Sequence, residues 1–266
     1  MSHVTLLLSR RYRESRPFRA TTEDGVHLVG SRVGRAGPAL VFCHGFLGWH
    51  RKQRIVRFVE RLAERLRVYA FDLRGHGLSG GACTFGDREL LDVDAVAGRA
   101  REETGGPVAT LGASMGGIAV LRQAALLGGV EAVVTVSTPA RWDGHTSRPV
   151  RQMQWLTATD RGRRMARALG VRVAGSWSRP EEPEDVVARI APIPLIVVHG
   201  RDDHFFDVSE AHRLYDRAGE PKRLLVGAPF GHAEDGFSPA FADLISERIL
   251  AALRPHAALA PDVPSS

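Results

Sequence analysis

The stretch Val108-Ala-Thr-Leu-Gly112-Ala113-Ser114-Met115-Gly116-Gly117 carries the residue types of covalent acyl chemistry. An apolar run enters Gly-x-Ser-x-Gly, and a second run beginning Ile118-Ala-Val-Leu121 leaves it. A serine on a cramped strand-to-helix reversal holds a sparsely allowed backbone conformation, which stands its hydroxyl clear of the chain. The residues two places to either side must be small, because a Cβ there would strike the adjoining strand or helix. The Met115 amide opens the following helix, where unpaired N–H groups and the dipole favour an anion. The plain alternative is a phosphate-cradling turn. It fails, because the segment lacks the lysine of a P-loop and its glycine spacing misses the dinucleotide fingerprint.

A serine nucleophile needs a base, and the base needs a group to orient it. There are 11 histidines, so most are incidental. His232 lies in Gly227-Ala-Pro-Phe-Gly231-His232-Ala233, just past the last apolar run. Asp203 lies in His199-Gly200-Arg201-Asp202-Asp203, just past the run before it. Both loops fall where the carboxyl edge of a parallel sheet would put an active site. Asp202 is the rival acid, while Glu234 and Asp235 follow His232 too closely to orient its ring.

The elements that must position these groups follow from periodicity. Phe18–Thr22 and Val26–Val29 flank Glu23-Asp-Gly25 as a hairpin. Ala39–Cys43, Arg67–Phe71, Val108–Leu111, Val130–Val136, Leu195–Val198 and Lys222–Val226 read as buried strands. Helical spacing places helices at Ile55–Leu66, Arg88–Glu103, Met115–Leu127, Val208–Ala218 and Pro239–Leu253. Strands alternating with helices predict an α/β fold, a mostly parallel eight-stranded sheet covered on both faces. Between Thr138 and Pro192 the rhythm breaks, and one helix over about Val150–Leu169 is expected in a short helical cap inserted between two strands. The division is then an extension over 1–16, a core over 17–139 and 190–255, a cap over 140–189, and a flexible tail over 256–266. Asp92 and Asp94 read as solvated helix positions, and Cys43 as core packing.

With 44% hydrophobic and 25% charged residues, the composition is that of a globular protein and excludes wholesale disorder, collagen and coiled coil. No apolar stretch approaches the eighteen or so residues of a membrane span, and Met1–Arg10 lacks the pattern of a secretory signal. Two cysteines make no disulfide scaffold, so a cytoplasmic location is expected. The net charge is +6, with only Lys52 and Lys222 as lysines among 36 basic residues. Without a reading motif or aromatic platforms, this basicity does not point to nucleic acid. From Arg141 to Arg179 nine arginines face two acids, Asp143 and Asp160, a formal +7. That charge suits an anionic group, such as an acyl-CoA, a carrier-bound thioester or a phospholipid surface. A solvated helix face in an arginine-rich chain is the plainer reading and the one favoured. Trp142, Trp155, Trp177, Phe205 and Phe206 suit the wall of an apolar substrate pocket.

Over nearly its whole length the sequence resembles the α/β-hydrolase superfamily. The resemblance is carried by His44-Gly45-Phe46, by Asp72-Leu-Arg-Gly-His-Gly-Leu-Ser79, by the Gly112–Gly116 turn, and by the Asp203 and His232 loops, in the family's order. It implies Ser114 as nucleophile, His232 as general base and Asp203 as orienting acid. The family's spacing, with the acid three residues after the glycine, favours Asp203 over Asp202. It also implies an oxyanion hole from the backbone amides of Phe46 and Met115 and structural roles for His44 and His76. The spacing of His, Asp and Glu offers no metal-ligand cluster, and no cofactor is expected. The activity implied is hydrolysis of a carboxylic ester or thioester with a small-molecule acyl substrate. The same trio also serves C–C bond hydrolysis or cofactor-free perhydrolysis, and a non-catalytic binding protein on this fold is the reading from another class.

Overall fold

The short apolar runs of the sequence are the strands of one eight-stranded sheet in the computed structural model, which describes residues 9–176 and 180–254. They are β1 (Ser15–Thr21), β2 (His27–Val33), β3 (Ala39–Cys43), β4 (Arg67–Phe71), β5 (Val108–Ala113), β6 (Ala132–Val136), β7 (Leu195–Val198) and β8 (Lys222–Leu225). Their order in space is β1-β2-β4-β3-β5-β6-β7-β8. β2 runs antiparallel to both β1 and β4, and every other pairing is parallel. The helices are α1 (Gln53–Leu62), α2 (Glu89–Thr104), α3 (Met115–Leu126), α4 (Arg148–Ala158), α5 (Asp160–Ala168), α6 (Pro183–Val186), α7 (Ser209–Arg217) and α8 (Pro239–Ala252).

Side chains of a strand alternate between faces, and the core divides accordingly. Ala39, Val41 and Cys43 of β3 pack with Val93 and Val96 of α2, Val120 of α3 and Leu214 of α7. Leu40 and Phe42 pack on the opposite face with Ile55 and Phe58 of α1 and Ile245 and Ile249 of α8. Because β3 and β5 to β8 are parallel, the loops that follow them gather at one edge. That edge receives Gly45, Ser114, Asp203 and His232.

Three features differ from the sequence reading. The hairpin is longer than its apolar pattern: β1 starts at Ser15 and β2 runs on to Val33, because Gly30–Val33 pair with Val68–Phe71 of β4. The single helix expected over Val150–Leu169 is two helices, packed against each other. Thr159 between them is extended, at φ −106° and ψ 150°, and its hydroxyl accepts from the Gly162 amide at 2.9 Å, capping α5. A Cβ on Gly162 would lie 2.0 Å from the Trp155 carbonyl, so only glycine admits so close a junction. Trp177, Arg179 and the tail from 256 lie outside the described residues.

The third difference is Asp92. It is not solvated but fully buried, its carboxylate accepting from the Arg74 amide at 2.7 Å and from Arg74 Nε at 2.8 Å. Asp24 takes the other edge of the same guanidinium at 2.8 and 3.0 Å. Burial penalises the Arg74 cation, but the two carboxylates outweigh that penalty and hold it charged. Asp92 therefore anchors the loop after β4 onto α2. Asp94, two places on, is exposed as expected. Asp92→Ala leaves a buried guanidinium short of a partner and should cost ~3–5 kcal/mol in urea unfolding. A solvated position would lose almost nothing.

Candidate active site

The turn between β5 and α3 places Ser114 at φ 53° and ψ −119°, a left-handed conformation that non-glycine residues avoid. Neighbours over-determine it. The Ser114 amide donates to the Val136 carbonyl at 2.8 Å, and the Ser114 carbonyl accepts from the Gly117 amide at 2.8 Å. A Cβ on Gly112 would fall 2.2 Å from the Gly116 carbonyl oxygen. One on Gly116 would fall 2.4 Å from the Cys43 carbonyl oxygen and 2.5 Å from that of His44. The two glycines thus let the turn close on itself and press against the exit of β3.

The loops after β7 and β8 bring Asp203 and His232 to this serine. His232 Nε2 lies 2.9 Å from Ser114 Oγ, and His232 Nδ1 lies 2.9 Å from Asp203 Oδ2 and 3.1 Å from Oδ1. A carboxylate only accepts, so Nδ1 carries the ring proton and Nε2 accepts from the serine hydroxyl. The Asp203 side chain is 1% exposed and that of His232 13%. Burial raises the carboxyl pKa of Asp203. The bond from His232 and the amides of Phe205 and Phe206, at 2.8 and 3.1 Å, more than offset this and hold it below the usual range. The imidazole stacks on Phe205 with ring centroids 4.2 Å apart and meets Phe206 edge-on at 5.4 Å. Asp202 is exposed and pairs with Arg201, away from the ring. Glu234 and Asp235 pair with Lys52 and Arg54.

His199, at the end of β7, has no role legible in the sequence. It is fully buried, with Nε2 donating to the Phe206 carbonyl at 3.1 Å and standing 3.5 Å from Asp203 Oδ2. It braces the loop whose amides hold Asp203. Its one sequence signal was adjacency to Gly200 in the acid's own loop.

On the other side of Ser114 runs the loop after β3, where a Cβ on Gly45 would lie 3.3 Å from Ser114 Cβ. His44 sets this loop. Its Nε2 accepts from the Leu73 amide at 3.1 Å, so its Nδ1 carries the proton and donates to the Gly45 carbonyl at 2.9 Å. That carbonyl also accepts from the Gly48 amide at 3.0 Å. In a trans peptide the Phe46 N–H points opposite to the Gly45 C=O, and hence away from His44 and Gly48. Among the described residues the Phe46 amide has no acceptor within the protein. Met115 is the first residue of α3, where an amide has no intrahelical acceptor.

The family described as alpha/beta hydrolase fold matches residues 38–177, just over half of the chain. The chain belongs to that family. The uncharacterized protein YfhR of Escherichia coli O157:H7 is 30% identical over 258 residues, covering 89% of this chain and 81% of that protein. Among solved structures, the Pyrococcus furiosus esterase Pf2001 superposes with TM-score 0.73 at 23% identity, over 91% of this chain and 94% of the other. The esterase RhEst1 from Rhodococcus sp. ECU1013 gives 0.70 at 22% identity, over 89% and 99%.

In this α/β-hydrolase-fold protein two cavities meet at Ser114. The first, of about 640 Å³, is lined by Phe85, Ile118, Trp142, Val150, Met153 and Phe206. The second, of about 810 Å³, is lined by Lys52, Arg57, His204, Phe205 and His232. α4 roofs both, and Met153 and Phe46 touch each. Of the five aromatics expected in a pocket wall, Trp177 lies outside the described residues, Trp142 and Phe206 line the first cavity and Phe205 the second. Trp155 lines neither and is 47% exposed on the outer side of α4. Among the described residues no group of three or more His, Cys, Asp or Glu side chains is placed to hold a metal ion.

Beneath the site, burial and the neighbouring His76 push His44 from 6.5 down to about 3, and burial pushes His76 down to about 4. Both rings stay neutral in the folded state at pH values where the unfolded chain protonates them. The unfolded state therefore binds more protons below about pH 6.5, and stability should fall as pH drops from there toward 4. The limiting slope is about 1.4 kcal/mol per pH unit for each histidine. Urea midpoints measured across this range test it. His76→Phe, which keeps an aromatic ring beside His44 and cannot protonate, should make the slope shallower.

Proposed function

We propose that the protein is a serine hydrolase that cleaves a carboxylic ester or thioester through an acyl-enzyme on Ser114. The observation that carries this reading is the unbroken path from Asp203 through His232 to the Ser114 hydroxyl, each link at 2.9 Å. Membership of the family and the likeness of fold to two esterases support it.

In the proposed reaction His232 Nε2 takes the Ser114 proton as Oγ attacks the acyl carbon, and Asp203 stabilises the imidazolium that forms. The negative oxygen is received by the amides of Phe46 and Met115, each such donor being worth about 2.7–4 kcal/mol of barrier. His232 then gives its proton to the leaving group, and water activated by the same nitrogen releases the acid. Neither step needs more than these side chains and amides. The proton donor also sorts the cavities. His232 lines only the second, so the leaving group belongs there and the acyl portion belongs in the apolar first cavity under α4 and α5. Phe85, Ile118, Val150 and Met153 of the first cavity offer contact to an apolar acyl chain, whereas Lys52, Arg57 and His204 stand with His232 around the leaving group.

Ser114→Ala should lower hydrolysis of a p-nitrophenyl ester at least ~1,000-fold with the thermal transition unchanged, and should remove labelling by a fluorophosphonate probe. Asp203→Asn should lower kcat by roughly 10,000-fold by favouring the wrong imidazole tautomer. Retained turnover or labelling in Ser114→Ala would overturn the assignment. For the cavity, Val150→Trp should cut kcat/KM for a long-chain acyl ester at least ~10-fold relative to the acetate ester. An equal effect on both esters would put the acyl chain elsewhere.

A further inference from the structure

Among the described residues, most arginines between β6 and β7 do not line the site. Only Arg141 and Arg163 reach the first cavity. Arg141 is held by Glu210 and Arg163 by Asp160 and the Thr157 carbonyl. Arg172 is spent on the carbonyls of Ser79 and Gly81. Arg189 pairs with Glu181, whereas the other arginines of α4 and α5, Arg148, Arg151, Arg161, Arg164 and Arg167, are exposed. Among the described residues none of these five is paired with a carboxylate. The charge of Arg167 instead adds to burial in lowering the pKa of Arg172, the signature of cations gathered without a counter-charge.

Their spacing is ordered. Arg148, Arg151 and Trp155 fall at i, i+3 and i+7 of α4, and Arg161, Arg164, Met165 and Ala168 at i, i+3, i+4 and i+7 of α5. Residues so spaced share one helix face. Each helix thus presents two arginines beside one large apolar side chain, Trp155 at 47% and Met165 at 49% exposure. The opposite face of α4, through Val150, Met153 and Gln154, roofs the first cavity. Exposed faces of this composition match a headgroup layer over an acyl layer, with guanidiniums at phosphate depth and the indole and thioether reaching below. A single-stranded nucleic-acid site would instead line a groove with successive aromatic platforms.

We propose that the outer face of α4 and α5 docks on an anionic phospholipid surface, which sets the roof of the first cavity against the bilayer. The inference goes beyond the proposed reaction and does not depend on it, because docking is read without turnover.

The test is co-sedimentation of the full chain carrying Ser114→Ala with vesicles of phosphatidylcholine containing phosphatidylglycerol, and with vesicles of phosphatidylcholine alone. Sedimentation with the anionic vesicles, lost in the neutral ones and released by salt, is expected. Arg148→Gln with Arg164→Gln should weaken partition roughly 25-fold, from about fivefold for each arginine near such a surface. Arg16→Gln with Arg19→Gln, also exposed but on β1, should leave it unchanged. Trp155→Ser should weaken partition by the same factor at each salt concentration below full release. Equal sedimentation with both vesicle types, no sedimentation with either, or equal losses from the two double variants would overturn the proposal. So would capture by an acidic acyl-carrier protein without any binding to vesicles.

Discussion

The approach of Gly116 to the carbonyls of Cys43 and His44 is the contact on which the rest of the site depends. It is closer than any side chain permits, and it joins the turn after β5 to the loop after β3. With that contact made, Ser114 is forced into a left-handed conformation and its hydroxyl stands off the sheet. The same contact brings Gly45, and with it the Phe46 amide, alongside Ser114. The strain of a positive φ persists at such a position only where its surroundings leave no alternative. Here those surroundings are the backbone of two parallel strands and the first turn of a helix buried on nearly every side.

Below the loops lies a frame of buried polar groups that never touches either cavity. His44 fixes the Gly45 carbonyl. The Asp72 carboxylate accepts from the amide and Nδ1 of His50 at 2.8 and 2.7 Å and from the Leu78 amide at 2.9 Å. Burial opposes its charge, but these partners hold its pKa down at about 2. Arg74, gripped by Asp24 and Asp92, ties the same turn to α2. Such groups are expensive to bury and worse to leave half-paired. Their completeness makes the loops after β3 and β4 behave as part of the sheet. In the proposed reaction, a centre built on them would need little reorganisation when charge develops.

The segment between β6 and β7 divides its labour by face. Inward residues of α4 close an apolar chamber over Ser114, while outward residues of α4 and α5 concentrate positive charge. The break at Thr159 lets both happen within 21 residues, Arg148–Ala168, because two short helices folded on each other cover more of the site's mouth than one straight helix could. The proposed division of acyl portion and leaving group between the two cavities follows from which of them His232 reaches.

Most of the sheet was legible as apolar runs of five or so residues ended by glycine, and the turn at Ser114 was legible because its glycines have no substitute there. Asp203 and His232 were readable as candidates, being polar residues just past the last two strands. The sequence was silent where burial is decided by partners far along the chain. Asp92 reads as solvated until Arg74 closes on it, and His199 reads as incidental until the Asp203 loop folds over it. Trp155 reads as pocket wall until its place on α4 turns it outward. Local pattern by itself determined most of the elements, their sequence along the chain and the strained turn, but not the break at Thr159 or the full length of the hairpin, because it depends on backbone sterics and on spacing within a few residues. Which side chains meet, which charges are buried and which face of α4 meets solvent were decided by tertiary structure alone, since hydrogen bonds and desolvation act through space between residues that the chain keeps far apart.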